Sequence, residues 1–353
     1  MVTSATIAGV GVALPPTVRQ DEVWSEFFAN RYSGARRTLA QRIFANSGVT
    51  TRQAAVSPLL EDVSDWSTER RMRRFQVEAV PLGKEAVERA LADAGVTADE
   101  IGLFAVCSCT GYATPGLDIL LARDLGMAPE VRRLFVGHMG CYAALPGLGT
   151  AADFVVAQGR PALLLCAELT SLHLQPAGGQ ADVQQIVSHA LFSDAAAAVV
   201  LTPGSPGYAV REVAAITDST TADHMTWEVT DLGFRMGLSP RVPDVLALHV
   251  RKMVVDLLAR NGLRIGDVDG WAVHPGGPKI LDVVQERLGV DDTALTASRD
   301  VLSAYGNCSS PTVLLVLDAL RRRAAPPERV VMLAFGPGLT LYGTLLETST
   351  VTT

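Results

Sequence analysis

The chain has 353 residues, 48% of them hydrophobic and 19% charged, with a formal net charge of −7 at pH 7. This composition describes a globular protein with a large core, long enough for two domains or one duplicated one. The lack of a long basic patch argues against nucleic acid as the main partner. No run of about 18 apolar residues occurs, so no membrane span is expected. The five cysteines, an odd number with no metal-ligand spacing, predict reduced thiols, no metal site and a cytoplasmic protein.

Residues 5–14 read as a strand that ends at Pro15-Pro16. Helical spacing follows over 21–32 and 36–46, and Ser47-Gly48 closes the second stretch. Residues 57–74 are polar and charged and read as loop with a short helix. The spacing predicts a helix over 79–95, with Gly95 as its stop signal. Residues 101–109 form a buried strand pattern, 110–116 a loop and 117–125 a helix. An apolar run then enters Met139-Gly140-Cys141, and a helix leaves it as far as Gln158, with Gly159 as C-cap. Residues 161–168 are another buried strand. A turn and strand span 186–201, with Phe192-Ser193-Asp194 at the centre.

A second half begins near Gly207. Its pattern is a strand at 208–218, an irregular stretch at 224–243, a helix at 244–261 and a short strand at 270–273 that ends on His274. After the loop Pro275-Gly276-Gly277-Pro278 come a helix at 279–288 and the approach 301–306 to Asn307. A helix at 313–323 follows, then strands at 330–335 and 339–346 joined through Gly336-Pro337-Gly338. Strand and helix alternate throughout, so the class is α/β, with halves at residues 1–206 and 207–353.

Three chemical groups stand where strands give way to loops or helices: Cys141, His274 and Asn307. In α/β sheets such ends converge on the functional crevice. A thiol at the start of a helix is expected to be held partly as thiolate by the dipole and the unpaired N–H groups. Imidazole can serve as its base, and an Asn amide can donate to a developing oxyanion. Each residue also has a plain structural reading. Cys141 is equally a small buried hydrophobe, His274 a satisfied core residue and Asn307 a helix cap.

Taken together, four motifs resemble the type III polyketide synthases, the chalcone-synthase-like family. They are Met139-Gly140-Cys141, Trp271-Ala-Val-His274-Pro-Gly-Gly-Pro278, Tyr305-Gly-Asn307-Cys-Ser309-Ser310 and Ala334-Phe-Gly-Pro337-Gly-Leu-Thr340. The resemblance covers nearly the whole chain. It implies a thiolase-like fold with a duplicated, layered αβαβα architecture, acting as a homodimer. It also implies acyl-CoA and malonyl-CoA (or methylmalonyl-CoA) as substrates, with no cofactor and no obligatory acyl carrier protein.

By position, the resemblance makes Cys141 the nucleophile, His274 its partner in a thiolate–imidazolium pair, and His274 with Asn307 the oxyanion donors. Phe192 becomes the aromatic gatekeeper. Cys109, Thr170, His173, Trp227, Met236, Ser309 and Pro337 fall where the family shapes its cavity. Arg42, Gly276 and Gly277 fall where it binds CoA, and Lys279 is a new positive charge near the expected tunnel mouth, expected to replace in part the basic residues missing from the helix at 36–46. Trp227 and Met236 depart from the plant pattern, and so does His173, a bulky polar ring where small residues are usual. These departures point to a narrow cavity and to a pyrone or resorcinol-type product. A ketoacyl synthase III-like enzyme performing one condensation is the nearest alternative. A Cys-dependent acyl thioesterase is a more distant one.

Overall fold

The computed structural model describes residues 4–175 and 183–349. In chain order the strands are β1 (Ala5–Ala13), β2 (Thr17–Arg19), β3 (Thr51–Gln53), β4 (Leu103–Cys107), β5 (Arg132–Val136), β6 (Ala162–Leu169), β7 (Asp194–Pro203), β8 (Gly207–Thr217), β9 (Met225–Thr230), β10 (Gly233–Leu238), β11 (Gly270–Val273), β12 (Arg329–Gly336) and β13 (Thr340–Ser349). Nine of them form one sheet in the order β11-β12-β13-β8-β1-β7-β6-β4-β5. The first half of the chain supplies β5-β4-β6-β7-β1 and the second half β8-β13-β12-β11. The two meet at a brief antiparallel pairing of Thr6 with Ala209 and Ile7 with Tyr208.

The period-2 alternation of strand side chains sorts the core into layers. Leu103, Ala105 and Cys107 of β4 pack with Val330, Met332 and Ala334 of β12, around the helices Ala144–Gln158 and Pro311–Arg321. The alternate residues Phe104 and Val106 face the helix Thr68–Ala94. Val331, Leu333 and Phe335 face the helices Val242–Arg260 and Pro278–Leu288. Two sheet halves therefore stack on a shared middle layer of helix, giving five layers, αβαβα. The middle helix is rich in small residues because it is packed from both sides. A Cβ at Gly147 would lie 2.8 Å from Leu164 on β6, and one at Gly149 would lie 3.2 Å from Val213 on β8. The helical stretch Gly140–Gln158, 19 residues with mean hydropathy 1.2, is long and apolar enough to cross a membrane by those measures alone. It passed unnoticed in the sequence because Gly, Thr and Asp interrupt the run. Here it is core, with Leu145, Leu148, Ala151 and Val155 fully buried.

Several boundaries differ from the sequence reading. The helix expected over 79–95 begins at Thr68, and Ser67 caps it by accepting the Arg70 N–H at 3.3 Å. Its buried stripe runs Arg71, Phe75, Ala79, Leu82, Ala86, Ala90. The first residue of that stripe is an arginine, which hid the periodicity. The stretch 224–243, expected to be irregular, contains the hairpin β9–β10. Met225-Thr-Trp-Glu-Val-Thr230 alternates in polarity, and Asp231-Leu232-Gly233 turns the chain, with Gly233 at φ +97°. The turn expected at the start of 186–201 is a helix, Val183–Leu191. The helix expected over 21–32 is one short turn, Gln20–Glu22, continued as a π-helical segment over Val23–Phe28.

Candidate active site

Cys141 lies in the 3₁₀ turn Gly140–Tyr142 that links β5 to the central helix. Gly140 supplies a left-handed φ of +72°, and a Cβ there would press to 3.0 Å on Pro337 Cδ. The approach is mutual. A Cβ on Gly336 would lie 2.8 Å from Tyr142 Cδ1 and 3.4 Å from the Cys141 nitrogen. The two glycine-bearing motifs thus exist so that two turns can touch, and that contact places the Phe335-Gly336-Pro337 turn over the thiol.

The thiol opens onto a small chamber that is partly open to solvent. Cys109, Thr170, Phe192, Trp227, Met236, Ser309 and Pro337 line it, together with Thr110, His138 and Met225. Trp227 and Met236 are directly opposed across the hairpin. The Trp227 indole Nε1 donates to the Cys109 carbonyl at 2.8 Å. Ser309 Oγ lies 3.9 Å from Cys109 Sγ. His138 and Ser309 both line the chamber, and among the described residues they are the only non-glycine positions with positive φ, at +62° and +58°. Such backbone strain tends to collect at functional sites.

His173 is placed differently from the sequence expectation. It lines not this chamber but an adjoining one, which shares Thr170, Phe192 and Trp227 as walls. Its polar atoms are turned away, onto the backbone of Thr110 and Phe234.

His274 ends β11, with its N–H donating to the Leu333 carbonyl at 2.8 Å, and its ring meets Phe335 edge-on at 6.0 Å. Asn307 follows Gly306, which takes φ +71°. Its backbone forms an isolated bridge with Phe192, the Ser193 N–H donating to the Asn307 carbonyl at 3.0 Å. Asn307 Oδ1 accepts from the Ser309 N–H at 2.9 Å, which leaves the amide NH2 as the group free to donate. Both residues are buried. Neither lines the chamber, and among the described residues no hydrogen bond joins the Cys141 thiol to either of them. They adjoin the chamber through residues that do line it: Pro337, two along from Phe335, and Ser309 and Phe192.

Burial governs the electrostatics. It pushes the Cys141 thiol up to about 12, against a downward pull from the Ser309 hydroxyl, and nearby Glu168 adds to the rise. It pushes the His274 imidazole down to about 3. The helix-start thiolate expected from sequence is therefore outweighed by desolvation. Cys141 precedes the α-helix proper, which begins at Ala144, and sits in a site with little water. Burial thus disfavours the charged form of each group taken alone.

Sequence reasoning missed Glu168. It is fully buried at the end of β6 and accepts from the Cys109 N–H at 3.0 Å, Thr110 Oγ1 at 2.7 Å and Ser310 Oγ at 2.9 Å. Burial raises its pKa, and those bonds resist the rise. It ties the Cys109 loop to the Ser309–Ser310 turn, fixing the chamber floor. The signal was present: a single carboxylate closing the apolar run Ala162-Leu-Leu-Leu-Cys-Ala-Glu168. Arg52 was also missed. Its buried guanidinium donates to the carbonyls of His189 at 2.6 Å, Ala190 at 2.9 Å and Phe192 at 3.2 Å, and so braces the backbone of the gate residue.

Arg42 and Lys279 are both exposed. Arg42 is in the last turn of the helix Gly34–Ala45, and Lys279 is in the first turn of the helix Pro278–Leu288. The two helix ends adjoin, since a Cβ on Gly48 would lie 2.9 Å from Pro278 Cγ. Gly276 and Gly277, the latter at φ +151°, form the turn between His274 and that second helix.

Layered halves and a buried thiol at a strand-to-helix turn beside a chamber define a thiolase-like α/β fold. The sequence matches the chalcone and stilbene synthase N-terminal domain over residues 2–205 and the C-terminal domain over 211–350. The chain belongs to the chalcone and stilbene synthase family, the type III polyketide synthases. It is 34% identical to the alpha-pyrone synthesis polyketide synthase-like Pks18 of Mycobacterium tuberculosis, covering 98% of this chain and 91% of that one. It is 36% identical to the 1,3,6,8-tetrahydroxynaphthalene synthase of Streptomyces peucetius subsp. caesius, covering 97% and 93%. Among solved structures, PKS-I from the brown alga Ectocarpus siliculosus superposes with a TM-score of 0.89 at 29% identity, covering 99% of each chain. The C-terminal type III polyketide synthase domain of Steely1 from Dictyostelium gives 0.90 at 26%, covering 99% of this chain and all of that domain.

Proposed function

We propose that this polyketide synthase loads an acyl group from acyl-CoA onto Cys141, extends it with malonyl-CoA or methylmalonyl-CoA, and closes the product as a pyrone or a resorcinol-type ring. Cys141 Sγ attacks the acyl-CoA carbonyl, its proton passes to His274, and CoA leaves as the thiol. The extender loses CO2, and the enolate attacks the Cys141 thioester. The lengthened chain departs on CoA, frees the thiolate and can load again. The His274 imidazole and the Asn307 amide donate to the thioester oxygen, and the coupled charges of thiolate and imidazolium offset the burial that opposes each alone. Phe192 forms an apolar wall where the carboxylate is shed.

Arg42 and Lys279 take the CoA phosphates at the paired helix ends, and Gly276-Gly277 lets the pantetheine arm pass. The first half, residues 1–206, carries the nucleophile, and the second, 207–353, carries His274 and Asn307. The edge strand β5, paired only with β4 and presenting a half-exposed Phe135, supports a homodimer. We place the enzyme in the cytoplasm, working without cofactor or carrier protein.

One observation carries the reading: the contact between the Gly336-Pro337 turn and the Cys141 turn, above a chamber walled by Trp227 and Met236. The test is incubation with a panel of acyl-CoAs plus malonyl-CoA or methylmalonyl-CoA, with products identified by mass. Cyclised products carrying two or more extender units are expected. Acyl-CoA that is merely hydrolysed would overturn the reading.

A further inference from the structure

His173 is the cavity residue that the structure turns out of the Cys141 chamber, and both its ring nitrogens are committed to backbone. Nδ1 accepts from the Phe234 N–H at 2.9 Å, so the ring proton sits on Nε2, which donates to the Thr110 carbonyl at 2.6 Å. A backbone N–H can only donate and a carbonyl only accept, so one neutral tautomer satisfies both. Burial keeps the ring neutral, pushing it down to about 3, and Arg71 pushes the same way. Arg71 also clamps the backbone on either side, donating to the carbonyls of Leu172 and Leu174.

The ring stacks on Phe234 at 4.5 Å and meets Trp227 edge-on at 5.4 Å. Trp227 donates to the Cys109 carbonyl, the neighbour of the carbonyl that His173 uses. Gly233 makes the approach possible: a Cβ there would lie 3.0 Å from His173 Nδ1 and 2.6 Å from Arg71 Cδ. The Thr110 loop and the hairpin β9–β10 belong to different parts of the chain, and His173 spans them. Trp227, with Thr170 and Phe192, is a wall of both chambers.

We propose that His173 is a positioning residue: a fixed neutral strut between the Thr110 loop and the hairpin that holds Trp227 as a partition and so limits how far an acyl chain on Cys141 can reach. The proposal rests on the condensing-enzyme reading above. Without the strut, the Phe234 N–H and the Thr110 carbonyl lose their partner, the hairpin loosens, and the chain gains the second chamber. Glutamine carries an acceptor and a donor at its tip and can bridge the same pair, whereas leucine fills the volume and can make neither bond.

The experiment compares wild type, His173→Gln and His173→Leu on straight-chain acyl-CoA starters of increasing length with malonyl-CoA, reading kcat and KM for each starter and product masses. For His173→Leu, kcat/KM for the longest starter relative to the shortest should rise by about tenfold or more, mainly through KM, while His173→Gln stays within about threefold of wild type. Equal shifts in both variants, or a folded His173→Leu enzyme with the wild-type length profile, would overturn the strut. Should His173→Leu not fold, Trp227→Phe keeps a ring but loses the bond to Cys109, and it should shift the profile in the same direction. An unchanged profile there overturns the partition. Wild type that hydrolyses every starter without adding malonyl units fails at the earlier step, and both readings fall with it.

Discussion

The Cys141 turn and the β9–β10 hairpin face each other across one chamber, yet they are held in opposite ways. The turn is part of the middle layer. Glycine backbone meets rings there, Gly140 against the Pro337 ring and Gly336 against the Tyr142 ring and the Cys141 nitrogen, and the helix behind it is packed from both sheet halves. The hairpin is a separate two-stranded sheet. Polar bonds from several elements hold it: Trp227 to Cys109, Phe234 to His173 and Gln175, Leu238 to Gln184, and Thr68 to Thr230, Asp231 and Gly233. Close packing tolerates little change in volume, while a polar pin can be exchanged for another. On the proposed reading, the chemistry falls to the rigid wall and the choice of product to the pinned one. Substitutions on the turn side should therefore abolish or slow every reaction alike. Those on the hairpin side should change which product forms.

The largest effect tests the turn side directly. Cys141→Ala should abolish product from every starter, a loss of at least about 10³-fold in kcat, because the other thiol lining the chamber, Cys109, is held protonated by burial and by nearby Glu168. Product masses at wild-type levels from that variant would dissolve the division. Next comes His274→Gln, which tests whether the two buried charges form only together. With burial alone acting, the thiol stays near its raised value of about 12 and is protonated at neutral pH. Since only thiolate reacts, the variant's iodoacetamide inactivation should climb with pH through the alkaline range and lose about tenfold or more at pH 7 against wild type. Superimposable pH profiles for the two proteins would show that His274 does not support the charge.

A backbone change should come third. Gly140→Ala places a side chain at φ +72° and against Pro337, a strain of about 1–3 kcal/mol. Denaturant unfolding should show that loss, with kcat reduced for all starters in the same proportion. An effect confined to long starters would mean that the turn shapes specificity after all.

The same contrast explains what could be read from the sequence. The turn side depends on glycines at fixed offsets and on residue types that chemistry cannot replace, so Cys141, His274, Asn307 and the Gly336-Pro337-Gly338 turn stood out. The layered α/β order followed from strands whose alternate faces are both apolar, as in β4 and β12. The hairpin side depends on which backbone group a polar side chain meets, and no spacing encodes that. His173 read as a polar ring projecting into the cavity, but its nitrogens are spent on Thr110 and Phe234. Arg71 fell within a polar, charged stretch that read as loop with a short helix, but it is the fully buried start of a helical stripe. Glu168 and the alternating hairpin sequence were legible and were passed over, because an apolar run draws attention away from the one carboxylate that ends it.

The smallest effect on rate, and the sharpest on product, is expected at Met236. It opposes Trp227 on the hairpin, lines the chamber and is buried, with no polar bond to lose. Met236→Leu conserves volume, costs less than about 1.5 kcal/mol and exchanges an unbranched thioether for a branched end. The first condensation needs only the space next to Cys141, so its rate should stay within about threefold of wild type. Later intermediates fill the chamber and must fold against the hairpin before ring closure. The ratio of shorter to longer products should therefore move while total turnover does not. The check is one malonyl-CoA competition with a single starter, reading each product by mass alongside CoA release. A uniform fall in all products would place Met236 with the rigid wall instead, and the line between the two regions would then run between the hairpin's strands, with Trp227 on one side of it and Met236 on the other.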